Sequence, residues 1–185
     1  MASSKREQLL NSALQLFYRE GYHSTGIDRI LAESGVAKMT LYKHFKSKDE
    51  LILAVLQMQH EQLSARMEQA FHSLAPRVAI LAVFDGLHQW LRESGFSGCL
   101  FLHAAAEFQQ REHPIHRQAA EHKRTLHRYF SGALTALQIE QPEDLAAQLQ
   151  FLFEGALSMA HLHGPGRQAL QAKAAADQLL KAAGV

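Results

Sequence analysis

A single cysteine, Cys99, rules out an intrachain disulfide and fits a reducing cytoplasm. Four prolines in 185 residues leave room for long helices. No apolar run approaches the roughly 20 residues that a membrane helix needs. Lys5 and Arg6 are followed by no apolar stretch, so a secretory leader is not expected. Strictly alternating apolar and polar residues, the mark of a half-buried strand, are missing, as are internal repeats and low-complexity segments. The motifs of common enzymes are missing too: no G-x-S-x-G, P-loop, H-E-x-x-H or dinucleotide glycine fingerprint. The chain is therefore not expected to be an enzyme, and no cofactor is expected.

The net charge of +1 says nothing about partners, but its distribution does. Residues 1–50 hold eight Lys/Arg against six Asp/Glu, and the remainder eleven against twelve. Lys38, Lys43, Lys46 and Lys48 crowd a segment with no acid, a local positive patch on a nearly neutral chain.

Helix punctuation is dense. Ser4 and Glu7 form a capping box ahead of Leu10, Ala13, Leu14 and Phe17, and Gly21 can end that helix. Thr25 and Asp28 form a looser box before a short helix, Ile27 to Ser34, which Gly35 breaks. A second short helix runs from about Lys38 to Phe45. Ser47 and Glu50 open a long helix, Lys48 to about Ser73. Pro76 starts a helix to about Glu93, and residues 94–98 read as a loop. Further helices are expected from Cys99 to Gln110, Ile115 to Leu137 after Pro114, Pro142 to His163, and Arg167 to Ala182 after the Gly164-Pro165-Gly166 break. The expectation is all-α: about nine helices, with an N-terminal part at 1–50 and a larger helical body at 51–185.

Two short helices joined by a glycine turn, then a capped basic helix, are the parts of a helix-turn-helix. Leu41 and Phe45 share an inward face. Lys38, Met39, Thr40, Tyr42, Lys43 and His44 are left for the outside and the N-terminal end. Lysine can read guanine acceptors or hold phosphate, while Met39 and the Thr40 methyl can touch a thymine methyl. Tyr42, Thr25 and His44 can donate to phosphate oxygens. The start of the long helix at Ser47 and Lys48 offers free N–H groups to an anion.

The run from Thr25 to Leu51, T-G-I-D-R-I-L-A-E-S-G-V-A-K-M-T-L-Y-K-H-F-K-S-K-D-E-L, resembles the DNA-binding signature of the TetR/AcrR family of bacterial transcriptional regulators. Gly35, Val36, Leu41, Tyr42, Phe45, Lys48 and Leu51 fall where that signature places them. Ala13, Leu16, Phe17 and Gly21 in the preceding helix match as well. The resemblance covers about Lys5 to Leu56. Gly26 departs from it, standing where many members carry Ser or Thr.

The resemblance implies a cytoplasmic homodimer that binds double-stranded DNA at a palindromic operator. It implies repression relieved by a small-molecule effector, here unknown. The middle helices would hold the effector, with Phe84, His88, Trp90, Phe101, His103, Glu107, Tyr129 and Phe151 as candidate lining. The last two helices would pair with the partner's through Phe151, Leu152, Gly155, Ala156 and Met159. Three alternatives stay open. A metal-sensing regulator would use His103, Glu107 and His122, but the twelve histidines are scattered and no metal site is expected. A thiol sensor would use Cys99. A third possibility is a DNA-binding protein that takes no ligand.

Overall fold

The computed structural model describes residues 4–185, which form nine helices and no strand. They run in the order α1 (Lys5–Glu20), α2 (Ile27–Ser34), α3 (Lys38–His44), α4 (Lys48–Ser73), α5 (Pro76–Leu91), α6 (Leu100–Glu107), α7 (Pro114–Ala136), α8 (Pro142–His163) and α9 (Gln168–Ala182). The all-α expectation is met. None of the described helices is long and apolar enough to cross a membrane.

Local chemistry explains the boundaries. At α1 the Ser4 hydroxyl accepts from the Glu7 N–H at 3.2 Å, and the Glu7 carboxylate accepts from the Ser4 N–H at 2.8 Å. Both groups would otherwise be orphan donors of the first turn. Proline occupies the first turn of α5 and α8, where a missing N–H costs nothing. Helix α6 stops at Glu107, three residues earlier than expected. Phe108 leaves helical geometry at φ −104° and ψ 74°. Its carbonyl faces His116 Nδ1 at 2.8 Å, and its ring lies against Tyr22, His23 and His113. These tertiary contacts outweigh continued helix formation through Gln109 and Gln110.

The chain folds as two compact units. The first comprises residues 4–61 and 99–122, and the second residues 62–98 and 123–185. The first unit is built on Leu9, Leu16, Phe17, Tyr22, Ile30, Leu41, Leu51 and Leu56, all fully buried. Tyr22 stacks on Phe17 with ring centroids 5.0 Å apart. Here α4 and α7 meet through His60 and His122, whose Nδ1 atoms lie 3.0 Å apart. Phe101 stacks on His122 at 3.6 Å.

The second unit buries Ile80, Phe84, Phe130, Leu134, Leu149, Leu157 and Leu180. Ion pairs join its helices: Lys123 to Glu154 at 2.8 Å, Lys173 to Asp85 at 2.6 Å, and Arg77 to Asp177 at 2.5 Å. Asp177 also meets Lys181, and hydrogen bonds from Lys181 and Arg77 hold its carboxyl below the usual carboxylate range. Such partly exposed pairs are worth about 0–1 kcal/mol each and fix geometry more than they stabilise. The apolar burial carries the unit.

Candidate nucleic-acid interface

The helix-turn-helix forms for simple reasons. Gly26 caps α2 without a side chain, and Gly35 ends it in the left-handed region at φ 63°. There the Gly35 N–H donates to the Leu31 carbonyl at 3.0 Å. This is the conformation that glycine adopts without a Cβ penalty. Val36, only 5% exposed, plugs the turn between the helices. Helix α3 then buries Leu41, and Phe45 turns inward as its extended C-cap.

That burial sets what faces out. Lys38, Met39, Tyr42, Lys43 and His44 are exposed, and Thr40 is half-buried. Met39 is 77% exposed and Tyr42 46%, so both are open to a partner on this face. Lys38 pairs with Asp28 at 3.2 Å, but both side chains are well exposed, so a phosphate can compete for the ammonium.

Two expected DNA contacts have different surroundings. Thr25 is fully buried, and its hydroxyl donates to the Gly21 carbonyl at 2.7 Å. It does not cap α2; it closes the α1–α2 loop, and its hydroxyl proton is not available to phosphate. Lys48 is half-buried and points its Nζ at the His23 carbonyl, 3.3 Å away. Burial lowers its pKa, partly opposed by Glu107 and Asp49. At the start of α4, Ser47 accepts from the Glu50 N–H at 3.1 Å. Glu50 reaches back to the Lys46 N–H at 2.7 Å, so part of this terminus is self-capped. A contact that sequence reasoning missed is Arg6, whose guanidinium lies 5.5 Å from the Phe45 ring centroid.

The residues expected around an effector are divided between the two units. Phe101, His103 and Glu107 belong to the first unit, and Phe84, His88, Trp90, Tyr129 and Phe151 to the second. Phe84 is core, stacked with Phe130 at 6.2 Å. Tyr129 lies over Phe71, and its hydroxyl donates to the Ser64 carbonyl at 3.3 Å. Trp90 meets Phe96 edge-on. His88 Nδ1 is buried with no hydrogen-bond partner. The Glu107 carboxylate is engaged by backbone of the α1–α2 loop.

On α8, Phe151 stands 73% exposed, which suits a surface contact and not the lining of its own unit. Gly155 and Met159 follow it on the same outer face, and so does Leu162, 71% exposed and missed by sequence reasoning. The four-residue step from Phe151 through Gly155 and Met159 leads to that end of the helix. Ala156 is 7% exposed and packs inside its own unit, so it does not belong to this face. Leu152 is half-buried beside it.

Comparison with known proteins agrees with the geometry. Residues 9–55 match the family model described as bacterial regulatory proteins, tetR family. Residues 76–176 match a tetracyclin repressor-like C-terminal domain. A TetR-family transcriptional regulator from Streptomyces coelicolor shares the fold with a TM-score of 0.92 and 33% identity. The match covers 97% of this chain and 95% of that one. The HTH-type transcriptional regulator YjdC of Escherichia coli is 24% identical over 83% of this chain and 82% of its own. The HTH-type transcriptional activator FasR of Mycolicibacterium smegmatis is 42% identical over 86 residues, 44% of this chain and 39% of that protein. The chain belongs to the TetR family of bacterial regulatory proteins and is a helix-turn-helix, DNA-binding transcription regulator.

Proposed function

We propose that this regulator is a cytoplasmic homodimer that represses transcription from a palindromic operator and is released by a small-molecule effector. The observation that carries the DNA-reading part is α3. Burial of Leu41 and Phe45 turns Lys38, Met39, Thr40, Tyr42, Lys43 and His44 outward on one short helix. Met39 and Thr40 touch base edges, with Lys38 reading guanine acceptors near the helix start. Tyr42, Lys43 and His44 hold phosphates and set the register. Residues 1–50 read DNA, and residues 51–185 hold the effector and the partner.

Two copies joined by a twofold axis present two α3 helices to successive major grooves, about 34–36 Å apart or a small multiple of that. The apolar face of Phe151, Gly155, Met159 and Leu162 supports this pairing, because a large exposed patch on one helix calls for a cover. The unpartnered Nδ1 of His88 supports an effector with a hydrogen-bonding group held among apolar side chains of the second unit. An effector that binds better to the DNA-incompetent arrangement lowers operator affinity by its differential affinity for the two states.

The test is selection of randomised duplex DNA by the full-length protein, followed by sequencing. A palindromic consensus is the expected result. A folded dimer that enriches no sequence refutes the reading. Transcription from a template carrying the consensus gives the sign: lower output with protein supports repression, and higher output overturns it.

A further inference from the structure

Glu107 binds the head from outside it. Its Oε1 accepts the Tyr22 N–H at 2.9 Å, and its Oε2 accepts the His23 N–H at 2.6 Å. The carboxylate sits against Gly21, which has φ 86°. A Cβ there would lie 3.0 Å from Glu107 Oε1 and would crowd the carboxylate, and the backbone angle itself favours glycine.

The neighbouring contacts repeat the pattern. His23 Nε2 faces the Glu107 carbonyl at 3.0 Å and acts there as a donor. The Tyr22 hydroxyl donates to the carbonyl of Leu100, the first residue of α6, at 3.0 Å. Phe108 packs on both Tyr22 and His23. Lys48 donates to the His23 carbonyl and adds a positive charge near the carboxylate. Successive loop residues thus use backbone and side-chain groups on α6, and the loop then runs directly into α2.

We propose that Glu107 is a positioning residue for DNA recognition. Its carboxylate clasps the α1–α2 loop and holds the helix-turn-helix on α6 in the setting at which α3 meets the operator. This rests on the DNA-reading role proposed for α3. An ionised carboxylate that accepts two N–H groups makes charge-assisted bonds, roughly twice as strong as neutral ones. Glu107 touches no phosphate in this role. Its loss therefore weakens the fit to the operator and leaves the count of phosphate contacts unchanged.

The experiment uses the full-length protein with Glu107→Ala and Glu107→Gln. Amide exchange is followed by NMR at Tyr22 and His23. Affinity is measured across salt for the selected duplex and for a scrambled one. Glu107→Ala is expected to speed exchange of those two amides about tenfold or more. It is expected to cost about tenfold in affinity for the selected duplex, with affinity for the scrambled duplex and the salt slope unchanged. Glu107→Gln keeps one carbonyl acceptor and falls between; it carries the test if the alanine variant does not fold. Equal losses on both duplexes overturn the proposal, as does an unchanged selected-duplex affinity. A wild type that enriches no duplex refutes the DNA-reading role itself. The amide exchange then judges the clasp alone, and unchanged exchange refutes it.

Discussion

Replacing Phe151 with alanine is the sharpest test of the α8 face. Phe151 is 73% exposed; with about 150–250 Å2 for an aromatic side chain, roughly 110–180 Å2 is open to a partner. At about 25 cal/mol per Å2, complete cover would stabilise the dimer by about 3–4.5 kcal/mol per protomer. Alanine keeps part of that contact, and association recovers only part of any area-based figure, so a loss of about 1.5–2 kcal/mol per protomer is reasonable. A twofold interface counts the change twice, giving about 3–4 kcal/mol and a dimer dissociation constant raised about 100- to 1,000-fold. Sedimentation velocity over a concentration series measures this directly. Helix content should be unchanged, because so little of Phe151 is buried in its own unit. A dissociation constant within about threefold of wild type, in a folded protein, would refute the assignment. Removing α9 is a poorer test. Ala169, Ala172, Ala176 and Leu180 are buried in the second unit, and Arg77 and Asp85 hold Asp177 and Lys173. Truncation would therefore break that core whether or not a dimer forms.

Other outcomes follow from the same geometry. Lys43→Ala should weaken binding to all duplexes and reduce the salt slope by about one per protomer, checked by titration at several salt concentrations. Met39→Ala should leave the salt slope intact and change the selected sequence, read by repeating the duplex selection. Gly35→Ala places alanine at φ 63°, where a Cβ meets no neighbour, so its cost is backbone strain alone. That strain of about 1–2 kcal/mol should lower Tm by about 2–8 °C in a thermal melt. Tyr22→Phe leaves the Leu100 carbonyl without its phenol donor in a buried site. It should destabilise the protein by about 1–3 kcal/mol in urea unfolding. Burial, with the nearby Cys99 and Glu107, holds this phenol protonated far above its ordinary range, so the loss should not depend on pH near neutrality.

Sequence alone determined the local features. Capping residues, prolines and glycines act over three or four positions, so Ser4 with Glu7, Pro76, Pro142 and Gly35 marked helix ends without reference to the rest of the chain. Leu41 and Phe45 share one face by periodicity, which also fixed the outward set on α3. Tertiary structure decided whatever depends on residues far apart. Thr25 was readable as a cap or a phosphate donor until its burial and its bond to Gly21 were seen. Glu107 was readable as a ligand contact because its partners, Tyr22 and His23, lie more than 80 residues away in the chain. Ala156 and Phe151 are both apolar residues of one helix, and only packing turns one inward and the other out. A residue's neighbours along a helix follow from spacing, but the partner of a polar group or an apolar face is chosen by how the helices assemble.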